Sequence, residues 1–229
     1  MTLPEVPVAT LNEIIHIPVD NVLLTGELRL PEGATGVVLF AHGSRHSLRN
    51  QVIAEKIAGA GLGTLLLDLL TPEEQQRKSV TGVRRFDIEL LARRLVGVVD
   101  WLETQPHTST LELGCMGAGI GATAALIAAE ALGNRIAAVV SRAGRPDLAG
   151  EALSKVRTPT LLIVGSYDEE LVALTEGAFA EMRWRRDLKI IPDANHHFTQ
   201  PGKLDQVAQL STDWFCQHME TPVRAESWR

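Results

Sequence analysis

The sequence predicts an α/β fold built on a mostly parallel sheet. Three observations carry that prediction: two alternating segments open the chain, a near-continuous apolar run follows them, and strand-like runs then alternate with helical periodicity to the end. Residues 13–19 and 22–30 alternate apolar and polar side chains and are joined by Asp20-Asn21, a turn-prone pair, so they are expected to form an antiparallel hairpin. Pro31-Glu32-Gly33 ends it. Residues 36–41, Gly-Val-Val-Leu-Phe-Ala, have no polar face, as a strand covered on both sides requires. A helix near 51–60, a strand at 63–68, a helix at about 86–104, a strand at 111–116, a helix at 120–131 and a strand at 136–141 follow. The pattern then repeats as a strand at 160–165, a helix at 169–182 and a strand at 188–191. A closing helix over 204–218 places Leu204, Val207, Leu210, Trp214 and Phe215 on one stripe. Right-handed crossovers between parallel strands would put helices on both faces of a sheet of about eight strands.

At 229 residues the chain is expected to be a single domain, 1–229, with a sizeable core. Residues 70–85 are the most polar internal stretch and are read as a solvated connection or a mobile lid, and 219–229 as a C-terminal tail. Hydrophobic residues at 45% and charged ones at 22% exclude disorder, collagen and coiled coil. A net charge of −6 without a basic run argues against a nucleic-acid or anionic-membrane partner. No apolar run approaches the ~20 residues of a membrane helix. Only Cys115 and Cys216 are present, and no secretory leader opens the chain, so a cytoplasmic protein without disulfides, metal or other cofactor is expected. The partner expected is a small-molecule substrate or ligand; the oligomeric state is not legible.

In an open parallel sheet the residues that meet a ligand follow the carboxyl ends of the strands. Those positions here hold His42-Gly43-Ser44, Gly117-Ala118-Gly119-Ile120-Gly121, Ser166-Tyr167-Asp168 and Asn195-His196-His197-Phe198. Taken together, and with Arg142-Ala143-Gly144-Arg145-Pro146-Asp147-Leu148-Ala149 as a flanking loop, they resemble the α/β-hydrolase fold and its dienelactone-hydrolase-like branch over nearly the whole chain. The resemblance implies Asp168 as the acid and His196 as the base of a nucleophile–acid–base order, with His197 one position away from the same role. It implies an oxyanion hole from the backbone amides of Ile120 and Ser44. At the centre of the Gly-x-nucleophile-x-Gly turn, however, stands Gly119, which keeps a strained positive-φ turn and carries no hydroxyl. We read it as a natural divergence, because a deliberate inactivation would ordinarily use alanine.

Neither cysteine is expected to replace that hydroxyl. Cys115 falls inside a strand and reads as a buried structural thiol, and Cys216 lies on the last helix. Ser44 reads either as a hydroxyl in the cleft or as a loop serine bonded to backbone. Arg142 and Arg145 are candidates for holding a substrate carboxylate, with an Arg145–Asp147 ion pair as the competing role. His46, Arg49 and Asn50 are read as rim. Three functions remain open: hydrolysis of a small ester or lactone, degraded or altered by the missing nucleophile; acid–base chemistry by His196 and Asp168 as a lyase, isomerase or cofactor-free oxygenase; and non-catalytic binding of a ligand or partner in the old pocket.

Overall fold

The structure, a computed structural model, describes residues 9–42, 47–81 and 86–219. In chain order its strands are β1 (Ala9–Val19), β2 (Val22–Pro31), β3 (Gly36–His42), β4 (Gly63–Asp68), β5 (Glu112–Gly119), β6 (Ala138–Gly144), β7 (Thr160–Gly165) and β8 (Arg186–Ile191). The helices are α1 (Leu48–Gly59), α2 (Pro72–Thr81), α3 (Phe86–Leu102), α4 (Ile120–Leu132), α5 (Ala152–Lys155), α6 (Glu169–Glu181) and α7 (Lys203–His218). The opening hairpin closes because Asp20 and Asn21 both adopt positive φ, 50° and 60°, which matches the turn to the twist of its flanking strands and pairs Val19 with Val22. β2 runs antiparallel to β4, and every later pairing is parallel, giving one eight-stranded sheet in the order β1-β2-β4-β3-β5-β6-β7-β8.

Because side chains alternate along a strand, β3 sends Val38 and Phe40 to one face and Val37, Leu39 and Ala41 to the other, and both faces need covers. Ile53 and Ile57 of α1 with Val207 and Phe215 of α7 cover the first. Leu95 and Val98 of α3 with Ala125 and Leu126 of α4 cover the second. This is the α/β-hydrolase architecture that the sequence predicts. Among the described residues no helix is long and apolar enough to cross a membrane.

The 70–85 stretch, expected as a solvated connection or a mobile lid, contains a helix. Residues Pro72–Thr81 are helical, for a reason that carries no hydrophobic stripe. The Thr71 hydroxyl accepts the Glu74 N–H at 3.3 Å while the Glu74 carboxylate accepts the Thr71 N–H at 2.8 Å, a reciprocal N-terminal cap. The same carboxylate grips both terminal nitrogens of Arg94 at 2.6 and 2.7 Å, and Arg94, 2% exposed, also donates to the Leu69 carbonyl. Residues 82–85 and 220–229 lie outside the described residues. Met219, expected to begin a free tail, is instead buried against the α1–α7 side of the core.

Arg94 holds the Glu74 carboxyl below its usual range, ahead of an opposing push from burial. Glu74→Ala is therefore expected to cost about 2 kcal/mol in urea unfolding, less than for a fully buried pair because Glu74 is partly exposed. A depressed carboxyl stabilises the fold above its unfolded value, about 4.3, and that contribution disappears as pH falls through the folded value. The gap between wild type and variant should accordingly close in acid.

Candidate active site

The loops after β7 and β8 are stitched together by backbone bonds. Ser166 N–H donates to the Ile191 carbonyl at 3.0 Å, and Tyr167 N–H to the Ala194 carbonyl at 2.9 Å. Within the second loop Asn195 Oδ1 accepts the N–H groups of His197 and Thr199, at 3.0 and 3.1 Å, and buried Phe198 anchors the turn with φ 55°. These contacts hold His196 so that its Nδ1 stands 2.7 Å from Asp168 Oδ2. A carboxylate only accepts, so Nδ1 carries the proton, and in the neutral ring that leaves the lone pair on Nε2. His197 packs edge-on against His196, ring centres 4.9 Å apart, and makes no such bond with Asp168.

β5 passes directly into α4 through Gly119, whose φ of 56° and ψ of −128° lie where side chains are strained. Among the described residues, its chain neighbours aside, no atom lies within 4 Å of the place a Cβ would occupy there. The first amides of α4, beginning at Ile120, have no partner within the helix and form its positive end. Two residues earlier the packing is opposite in kind: a Cβ on Gly117 would stand 2.4 Å from Ala122 Cα. Beside the turn, β5 pairs Ala118 with Arg142 and Gly119 with Gly144, leaving Ala143 as a bulge with φ 42°.

His196, His197, Gly119 and Arg142 meet around a cavity of about 230 Å³. Ser47 and Arg49, from the start of α1, close its other side. A larger hollow of about 560 Å³, at the amino ends of β7 and β8, includes Arg157, Arg183 and Trp184 and none of these groups, so we place the site at the smaller cavity. A family model described as the dienelactone hydrolase family matches residues 25–219. The chain belongs to the dienelactone hydrolase family.

A dienelactone hydrolase from Anabaena variabilis has 49% sequence identity to it, with a TM-score of 0.89 over 92% of this chain and 99% of that one. The fold is shared with an α/β serine hydrolase without lid from Xanthomonas campestris, at 21% identity and a TM-score of 0.73 over 92% of this chain and 96% of that one. Two Mycobacterium tuberculosis proteins, from strains CDC 1551 and H37Rv and both provisionally named as phosphoribosyl transferases, are 48% identical over 214 residues. That match takes in 92% of this chain and 47% of theirs, so the chain spans about half the length of these relatives.

On this dienelactone hydrolase scaffold the remaining candidates separate. Arg142, 5% exposed, reaches the cavity and donates from Nη2 to Asn50 Oδ1 at 2.9 Å. Burial, and then the charge of Arg49, push its guanidinium down to about 10. Arg145 instead makes a two-pronged pair with Asp147, at 2.8 and 2.7 Å, so the competing role weighed for it is the one the structure has. Ser44 lies outside the described residues. Cys115, 3% exposed, is packed in the core on the α3–α4 side, and burial lifts its thiol to about 12. Cys216 is exposed on α7. Arg49 and Asn50, read from sequence as rim, are part of the site: Arg49 lines the cavity and Asn50 is buried against Arg142. The signal that would have found them is the pairing of β3 and β6 as successive neighbours of β5, which brings the start of α1 beside the end of β6.

Proposed function

We propose that the protein hydrolyses a small ester or lactone without a covalent intermediate, with His196 activating water directly. The observation that carries this reading is the 2.7 Å His196–Asp168 contact beside a turn whose central residue, Gly119, has no side chain and meets no atom of another described residue within 4 Å where its Cβ would be. A water in that space gives its proton to His196 Nε2 as its oxygen bonds to the substrate carbonyl carbon. The resulting oxyanion is held by the Ile120 amide at the positive end of α4. Collapse breaks the bond to the alkoxide oxygen, which takes the proton back from the imidazolium, and Asp168 keeps the ring oriented throughout. A family Ser or Cys would have formed an acyl-enzyme; its replacement by glycine leaves the slower route, worth roughly 10³–10⁴-fold over water when binding and an oxyanion hole remain.

The cavity's 230 Å³ fits a small substrate better than a macromolecular partner. The transferase name of the mycobacterial relatives is not carried over, because this chain matches only 47% of their length. The open position favours a second reading too, since proton abstraction by His196 also needs a base and an anion site but no nucleophile.

With p-nitrophenyl acetate the wild type is expected to turn over slowly and linearly, with no burst and no labelling by a serine-directed phosphonate. His196→Ala should lower the rate about 10²-fold. A stoichiometric burst would show an acyl-enzyme and overturn the direct route, whereas isomerised or cleaved product in place of hydrolysed product would favour the second reading.

A further inference from the structure

The cavity that contains His196 contains a second imidazole, to which water activation by His196 gives no part. His197 lines the same space of about 230 Å³ beside Gly119, and a molecule that fills so small a space touches both rings. Its position is fixed through the main chain, where its N–H donates to Asn195 Oδ1 at 3.0 Å and the next residue, buried Phe198, anchors the turn. The ring itself is unspent. Among the described residues neither of its nitrogens has a hydrogen-bond partner, and it packs edge-on against His196 with ring centres 4.9 Å apart and planes at 81°. It is also an uncharged donor: burial first, then the charges of Arg49, His196 and Arg142, hold it below the usual histidine range, so near neutral pH it carries one N–H and one lone pair. A cation here would oppose the imidazolium that His196 becomes on taking a proton. A neutral N–H does not.

We propose that His197 is a further catalytic residue, the hydrogen-bond donor to the alcohol oxygen of the bound ester or lactone, the oxygen that leaves. The inference rests on the proposed hydrolysis and, within it, on one proximity. To take the proton back from His196, the leaving oxygen must come within hydrogen-bond reach of Nε2, about 2.6–3.2 Å. His197 is the ring beside that place, whereas the proposed hydrolysis puts the carbonyl oxygen at the Ile120 amide. No bond is made or broken at His197. Its N–H meets the negative charge that gathers on the leaving oxygen as the carbon–oxygen bond breaks, and the proton that completes the alcohol comes from His196. The benefit grows with that charge. Esters of weakly acidic alcohols depend on it most, and aryl esters whose leaving group carries the charge unaided depend on it least.

The test compares His197→Phe, which keeps a flat ring without an N–H, with His197→Gln, which keeps an N–H, on benzyl acetate and on p-nitrophenyl acetate. His197→Phe should slow benzyl acetate at least about tenfold, through kcat, and p-nitrophenyl acetate less than about threefold, while His197→Gln keeps most of the wild-type rate on both. Neither should lower the melting temperature, because the ring has no hydrogen bond to lose. A further readout needs no turnover: p-nitrophenolate, itself a leaving group, should bind the wild type at least about tenfold more tightly than His197→Phe, followed by its absorbance. Equal slowing of the two esters, benzyl acetate unslowed, or unchanged p-nitrophenolate binding would each overturn the proposal. A protein inert to both esters would sink the hydrolytic reading, and the donor assignment would then stand or fall on p-nitrophenolate. An esterase that loses its activity with His196→Ala and is indifferent to His197→Phe would sink this inference alone.

Discussion

Gly119→Ser is expected to raise hydrolysis of small activated esters by at least about 10²-fold, a modest fraction of what a complete triad contributes over its Ser-less form. The expectation follows from what already stands around the position. His196, held by Asp168 at 2.7 Å, borders the same cavity as Gly119, and no atom of the described residues beyond the chain neighbours lies within 4 Å of a Cβ placed at 119. The Ile120 amide opens α4, where the proposed hydrolysis puts the oxyanion. The gain has an opposing term, because a φ of 56° with ψ of −128° suits glycine, and serine there should lower stability by roughly 1–2 kcal/mol. Steady-state assays with p-nitrophenyl acetate and a small lactone, beside a thermal melt, check both parts. A well-folded variant with no gain on either substrate would count against a lost hydrolase and for acid–base or binding function.

Gly117→Ala should do the reverse and damage the fold around the turn, by about 4 kcal/mol. Its methyl would stand 2.4 Å from Ala122 Cα and 2.5 Å from both Ala122 N and the Gly121 carbonyl oxygen. All three belong to the backbone of the first turn of α4, so no side-chain rotation relieves the clash, and the helix must lift away from β5. Against a total stability of about 5–15 kcal/mol such a loss brings unfolding within reach of assay temperatures. Urea denaturation measures it, and a loss under about 1 kcal/mol would show that α4 does not pack on β5 this closely. The two glycines thus divide one turn between them: at 119 a side chain has room and an unfavourable φ, at 117 it has no room.

The elements that periodicity could reach were legible in the sequence. Every expected strand is present, β5 and β6 extending further toward the turn than their apolar runs suggest, because Gly117, Ala118 and Gly119 continue the ladder with no side chain that looks like strand. The helix Pro72–Thr81 was missed because Glu74 fastens it to Arg94, twenty residues on, and tertiary anchoring leaves no amphipathic pattern. Its Thr71-x-x-Glu74 cap was the local sign. Asp168 and His196 could be placed because each follows a strand that the family resemblance orders. The resemblance picks His196 over His197 by a single position, and in the loop it is the His196 ring that meets Asp168, at 2.7 Å. Arg49 could not be assigned to the cavity from one chain segment, since its role is defined by Arg142, ninety residues away across the sheet.

Drawing the cavity wall from the ends of several strands, from Ser47 to His197, also sets when during folding the cavity can exist. Each wall segment is far from the others along the chain, and parallel neighbours joined by helical crossovers form only after the intervening loops have closed, which makes such contacts late and slow. Local helices such as α3 and α7 can appear well before them. Ligand binding by a refolding sample should therefore lag behind its far-ultraviolet helical signal, and a chain stalled with helices formed and β6 or β8 undocked would look largely folded by spectroscopy while holding no binding site. Binding, more than helicity, is the measure of completed folding for this molecule.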